Sequence, residues 1–379
     1  MILSHYSAML GIPLFKAMTI QDIHFDCIHF RGDMPCGPNK KSGKTCPGCT
    51  EYTTISKRIL IIKLGAIGDV IRTTPLIEAY RKLYPGCHIT WITRYPDVLP
   101  EQSIDAIREF AFEDVFIITR QHFDIAINLC KDEEAAMLLS ECNATEKRGF
   151  IWKDGHISIA NRESEHKLLT GLFDGLSKAN TKSYLQEIFE ICGLSYDNES
   201  YILNVDKKWI ENFSYIKDKA NGKKIIGLNT GAGSRWPTRL WQVENWRELI
   251  SRLQNDGYAP LLLGGADEHI MNATLHNETG AIYAGSYPLH QYLAIAYHAD
   301  VIVTAVSMTM HIALGLGKKM VLFNNIFNKH EFDVFGNGEI LEPSTGCECY
   351  YGTTCTRTRS CMHDLSVDRV HEAIIRQLT

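Results

Sequence analysis

Residues 58–69 read RILIIKLGAIGD. The branched apolar run from Arg58 to Leu64 shows no alternation, so it reads as a strand buried on both faces, and the glycines with Asp69 behind it read as a turn into a helix. Helical spacing continues to about Tyr84 and closes at Pro85-Gly86. HITWIT (88–93) and DIAINL (124–129) predict two further strands with helical segments between them, a βαβ rhythm. Residues 164–193 read as mainly helical, and the polar stretch 195–222 reads as a linker. A second rhythm follows: strands at 223–229, 259–263, 301–304 and 319–323, and helices at 241–256 and 290–298. No short tandem repeat is visible, which excludes a solenoid. Two open parallel sheets place their ligand crevices at the carboxyl ends of the strands, with the deepest cleft between the halves.

The 379 residues suit two or three compact units. With 45% apolar and 22% charged residues the chain is globular in composition, which excludes disorder and a coiled coil. A formal charge of -5 offers no broad footprint for a phosphate backbone, so nucleic acid is not expected as a main partner. No apolar run approaches the ~18–20 residues of a membrane span. The first 18 residues lack a basic leading segment and a small-residue cleavage site, so a cytoplasmic location is expected, with peripheral membrane association left open. Oligomeric state leaves no mark on the sequence.

Three strand-to-helix turns carry chemistry. In the first, Gly65 and Gly68 allow close backbone approach of a ligand, and Asp69 stands at the helix mouth, a place that also favours Asp as an ordinary cap. A dinucleotide fingerprint is excluded: three spaced glycines are missing and the second strand ends in Thr93-Arg94. A phosphate-binding P-loop is excluded as well, since no Gly-Lys-Ser/Thr follows at the needed spacing. The second turn, NTGAGSRWPTRLW (229–241), combines Thr230, Gly231 and Gly233 with Arg235 and Arg239, a set suited to phosphate and equally compatible with a plain turn carrying surface arginines. In the third, AVSMTMH (305–311), Ser307 and the amides around Met308, Thr309 and Met310 can hold a diphosphate, with His311 as donor or packing residue. Two phosphate-suited turns in one half point to a single substantial anionic ligand.

Twelve cysteines in a long chain with no export signal favour metal binding or chemistry over a disulfide scaffold. Cys87, Cys130, Cys142 and Cys192 are scattered through apolar contexts and read as core. Cys27, Cys36, Cys46 and Cys49 form one quartet, with a CPGC knuckle, and Cys347, Cys349, Cys355 and Cys361 form another. Four thiolates suit a structural zinc ion, iron or an iron–sulfur cluster, held in one site or two; free or disulfide-linked thiols are the alternative.

The stretches KLGAIGDVIRTTP (63–75), TGAGSRWPTRLW (230–241) and SMTMHIALGLGK (307–318), in this order, resemble glycosyltransferase family 9, the ADP-heptose heptosyltransferases. The resemblance spans about residues 57–345. It implies a GT-B α/β architecture of two Rossmann-like doubly wound domains facing a cleft: a cysteine-rich extension (1–56), an acceptor domain (57–200), a sugar-nucleotide domain (201–345), and a cysteine-rich segment with a C-terminal helix (346–379). It implies an inverting transfer of heptose or a related sugar from a nucleotide sugar, ADP-heptose first, to a glycan or other hydroxyl acceptor, without a catalytic metal. Asp69 matches the catalytic aspartate behind Gly68, Arg239 the basic diphosphate contact, and the His311 segment the loop that holds donor phosphates and sugar. Asp267 or Glu268 is implied near the ribose and Tyr287 beside the base. Val306 stands where the best-known heptosyltransferases have an acidic residue, which argues against carrying their lipopolysaccharide-core substrate across. A catalytically silent sugar-nucleotide binder and a nucleic-acid binder built on the cysteine knuckles, beside Lys40, Lys41 and Lys44, are the competing functions.

Overall fold

The computed structural model describes residues 18–233 and 235–379. Two six-stranded sheets organise it. The first runs β1 (Arg58–Ile62), β2 (His88–Thr93), β3 (Ala106–Glu109), β4 (His122–Asn128), β5 (Asn143–Lys153) and β6 (His156–Ile159), in the spatial order β3-β2-β1-β4-β5-β6. The second runs β7 (Ile225–Asn229), β8 (Ala259–Leu263), β9 (Ile282–Tyr283), β10 (Val301–Ala305), β11 (Lys319–Phe323) and β12 (Gly338–Leu341), in the order β12-β11-β10-β7-β8-β9. Counted from its own first strand, each sheet has the order 3-2-1-4-5-6 of a doubly wound nucleotide-binding fold. Pairing is parallel throughout except between β5 and β6. The chain thus has two Rossmann-like lobes, consistent with a GT-B fold.

The unalternating apolar strands are covered on both faces. Ile59 and Ile61 pack with Val70, Ile77, Tyr80 and Ile188 on one side of the first sheet, while Leu60 and Ile62 pack with Ile118 and Leu139 on the other. Each such side chain, fully removed from water, contributes on the order of 1.5–3 kcal/mol. In the second lobe Ile226, Leu228, Val303 and Val321 meet Trp246 and Leu249 of the Val243–Asn255 helix and Val370 and Ile374 of the C-terminal Val367–Leu378 helix. Aspartates tie the strand starts together. Asp124 accepts from the Arg58 amide, Asp105 from Ile89 and Asp300 from Ile225, at 2.7–2.8 Å.

Two elements depart from the sequence expectation. The helix after β1 is broken into Ile67–Ile71 and Leu76–Leu83, because Pro75 has no amide to continue the ladder. The stretch read as a linker contains the short helices Lys207–Asn212 and Tyr215–Ala220, where Phe213, Ile216 and Ala220 are buried. No helix of the described residues is long and apolar enough to cross a membrane.

Candidate active site

The three turns singled out in the sequence all lie at carboxyl ends of the central strands: Asp69 after β1, Thr230 to Arg239 after β7, and Ser307 to His311 after β10. β1 and β7 are the strands at which the strand order reverses, the place where open α/β sheets bind ligands. The first and third turns touch. A Cβ built on Gly68 would meet the His311 ring at 2.3 Å, so the packing of one lobe on the other requires this glycine.

Asp69 is in the first turn of the Ile67–Ile71 helix, whose cap is Ala66, so the aspartate does not serve as the cap. Its carboxylate lies 2.7 Å from Arg72 Nη2 and 3.6 Å from Lys63 Nζ. Burial acts to raise its pKa, but Arg72, then Lys63, outweigh burial and hold it well below the ordinary carboxylate range. Arg72 reaches Asp69 because three residues along a helix share a face. Its guanidinium carbon lies 3.4 Å from the centre of the Tyr184 ring. Tyr184 opens the Tyr184–Ile191 helix, fixed by a capping box in which Ser183 and Gln186 each satisfy the other's amide, at 3.2 and 2.8 Å. From the same helix the buried Glu187 pairs with Lys167 and lies 3.0 Å from His166 Nδ1. His311 is neutral: burial, reinforced by Arg72, pushes its pKa down to about 3 against the pull of Asp69. Arg72 Nε, the Tyr184 hydroxyl and His311 Nδ1 are buried near Asp69 without a hydrogen-bond partner.

In the second lobe Arg239 is 5% exposed and has no carboxylate partner among the described residues. Its guanidinium bonds the carbonyls of Ala232 and Trp236, and burial pushes its pKa down to about 10. An uncompensated buried cation wrapped by its own glycine-rich loop is arranged for an anion. Arg235 instead stacks on the Trp236 ring. Gly231 leaves room for Glu268, whose carboxylate a Cβ there would meet at 2.0 Å, and Glu268 also accepts from the Gly265 amide at 2.8 Å. Gly233 takes a left-handed conformation, φ 73°. The Thr230 hydroxyl is committed to Asn272 at 2.7 Å and that of Thr309 to Tyr292 at 2.7 Å. Asn229 joins the two loops, bonding Gly231 O, Thr304 Oγ1 and Ser307 Oγ. Ser307 caps the Met308–Gly315 helix with extended backbone and no side-chain cap bond. The Met310 amide bonds Ser307 O and its side chain is core, so Met310 offers a ligand neither. Tyr287 is exposed and edges against Phe213.

The metal additions expected from the cysteines are not found: among the described residues no group of three or more His, Cys, Asp or Glu side chains is placed to hold a metal ion, and all twelve cysteines are free. In the first quartet, Cys27 pairs with Thr54 in an isolated bridge, Cys36 caps the Gly37–Ser42 helix, and Cys46 and Cys49 share a separate turn. In the second, the Cys349 amide donates to Cys347 Sγ at 3.3 Å, and the four thiols do not close on one point.

A sequence profile described as glycosyltransferase family 9 (heptosyltransferase) matches residues 117–330, more than half of the chain. The chain belongs to this family. As a family 9 glycosyltransferase it is a transferase that uses a nucleotide-sugar donor and an acceptor. No curated protein sequence matches it. Among solved structures, the family 9 glycosyl transferase from Veillonella parvula is 20% identical, with a TM-score of 0.68 over 86% of this chain and 98% of that one. The ADP-heptose LPS heptosyltransferase II of E. coli is 16% identical, with a TM-score of 0.63 over 85% and 98%. The iron-containing dodecameric glycosyltransferase TibC from enterotoxigenic E. coli is 14% identical, with a TM-score of 0.53 over 86% and 77%. At these identities the likeness concerns the fold.

Proposed function

We propose that the chain is an inverting glycosyltransferase that moves heptose or a related sugar from a nucleoside diphosphate sugar, ADP-heptose first, to a hydroxyl acceptor. The single observation that carries the donor assignment is Arg239, a buried guanidinium with no carboxylate partner, set in the turn after β7. The diphosphate lies along this turn, against Arg239, Arg235 and the backbone at Gly231, Gly233, Ser307, Met308 and Thr309, with Glu268 toward the ribose and Tyr287 toward the base. Thr230 and His311 shape the pocket instead of donating hydroxyl or imidazolium, since the one is bonded to Asn272 and the other is neutral. The acceptor enters from the first lobe. Its hydroxyl gives its proton to Asp69 as its oxygen bonds the anomeric carbon, and the bond from that carbon to the diphosphate breaks on the opposite face. Charge gathering on the leaving diphosphate is met by fixed dipoles and guanidinium. Val306 is 8% exposed and belongs to the core, so it makes no polar contact with sugar, which fits a transferred sugar different from that of members with an acidic residue there.

We also propose one structural zinc or iron ion on Cys347, Cys349, Cys355 and Cys361; their closeness in sequence and the iron-containing relative support it. The segment supports the donor turn directly: Thr238 bonds Gly352 O, and Asn325 links Thr238 O to Cys361 Sγ.

A thermal-shift panel of ADP-, GDP-, UDP- and dTDP-sugars tests the donor, because a ligand of the native state raises apparent stability. Stabilisation by ADP-sugars above the others is expected. Equal, negligible shifts across the panel would remove the nucleotide-sugar reading.

A further inference from the structure

Asp69 follows the carboxyl end of β1; at the opposite end of the same strands the first lobe has a second opening, of about 700 Å³. Its floor is set by strand geometry. Arg58 and His88 are register partners at the starts of β1 and β2, and residues 58, 60 and 62 share one face of the sheet. Further along that face Leu60, Ile62 and Ile92 are covered by Ile118 and Leu139 from the Phe112–Arg120 and Glu133–Glu141 helices, whereas the strand starts are left open. The outer wall comes from the cysteine-rich segment: Phe25, Phe30 and Arg31.

Charge in this opening is unbalanced. Its carboxylate, Asp105, is already engaged by Arg81 at 2.8 Å and by the Ile89 amide at 2.7 Å, and Arg108 is engaged by Asp114 at 3.0 Å. Arg58 has no carboxylate partner among the described residues, and Arg31 has only an outlying contact with Asp33 at 3.9 Å. Phe25 and Phe30 meet edge to face at 5.2 Å yet are 50% and 39% exposed. One guanidinium without an anion, Arg58, and a second held only at 3.9 Å, Arg31, beside uncovered aromatic rings are complementary to an anion carrying a flat apolar body, and the volume falls within the ~300–1,000 Å³ of small-molecule sites.

We propose that this opening is a second ligand site, for an aryl or nucleoside phosphate, with the phosphate on Arg58 and Arg31 and the ring against Phe25 and Phe30. Five residues of strand, roughly 17 Å, separate Arg58 from the start of the Asp69 turn, so occupancy here does not compete with a donor in the cleft. The site does not depend on the glycosyl-transfer reading. Calorimetric titration of the whole chain with phenyl phosphate, in saturating ADP, tests it. One-to-one binding is expected, weakened tenfold or more (on the order of 1.4 kcal/mol) by Arg58→Gln and also weakened by Phe30→Ala, with ADP affinity unchanged. The exposed Arg31→Gln substitution gives the same reading should Arg58→Gln disturb the strand start. Absence of saturable binding with ADP present, or equal affinity in the wild type and the arginine variants, would overturn the proposal.

Discussion

Asp69 is ionised by its neighbours and weakened as a base by the same neighbours. Arg72 at 2.7 Å and Lys63 at 3.6 Å stabilise the carboxylate, so its folded pKa lies below the ordinary value of ~3.9. The sign follows from linkage: a depressed carboxylate pKa contributes stability that is present above pH ~4 and is lost as pH falls through the folded pKa. For catalysis, the wild type is expected to show no acid limb of kcat/KM above pH ~4. Arg72→Gln removes the nearer cation, and its acid limb is expected to move up toward pH ~4. A pH profile of kcat/KM measures this; identical profiles for both proteins would separate Arg72 from the base.

Among the elements, the turns after β1, β7 and β10 were legible because each couples a short apolar strand to small or phosphate-suited residues. β5 was not, since NATEKRGFIWK has neither an apolar run nor clean alternation and holds its place through β4 and β6. The helical break at Pro75 was in plain view, and so was Arg72, three residues beyond Asp69 on one helix face. Lys167, Tyr184 and Glu187 come from helices about a hundred residues further on, and no spacing in the sequence ties them to Asp69. Gly68 also seats His311, a packing demand that its place in a glycine-rich turn does not reveal. Gly68→Ala is therefore expected to cost about 1–3 kcal/mol of stability through overpacking, with transfer reduced, and His311→Ala in the same protein is expected to restore part of the loss. Thermal melts of the single and double variants measure it; simple additivity would contradict the contact.

Over the whole molecule, two lobes of the same strand order place Asp69 after the first strand of one and the buried Arg239 after the first strand of the other. The cysteine segment around Cys347 and Cys361 braces the arginine-bearing turn from outside, and Tyr350 reaches back to Ser177 in the first lobe at 2.7 Å. Metal analysis of anaerobically purified protein is expected to find about one zinc or iron per chain, lost in Cys347→Ser together with part of the thermal stability. Metal content below a tenth of an equivalent would end the proposal for that quartet.

The division of labour between the lobes is the central claim, and calorimetry of ADP, or of the nucleoside diphosphate that the panel selects, reads it most directly in three proteins. Wild type and Asp69→Asn are expected to bind within a few fold of each other, while Arg239→Gln binds about 10–100-fold more weakly. Unchanged affinity in Arg239→Gln, or loss of nucleotide binding in Asp69→Asn alone, would contradict the account.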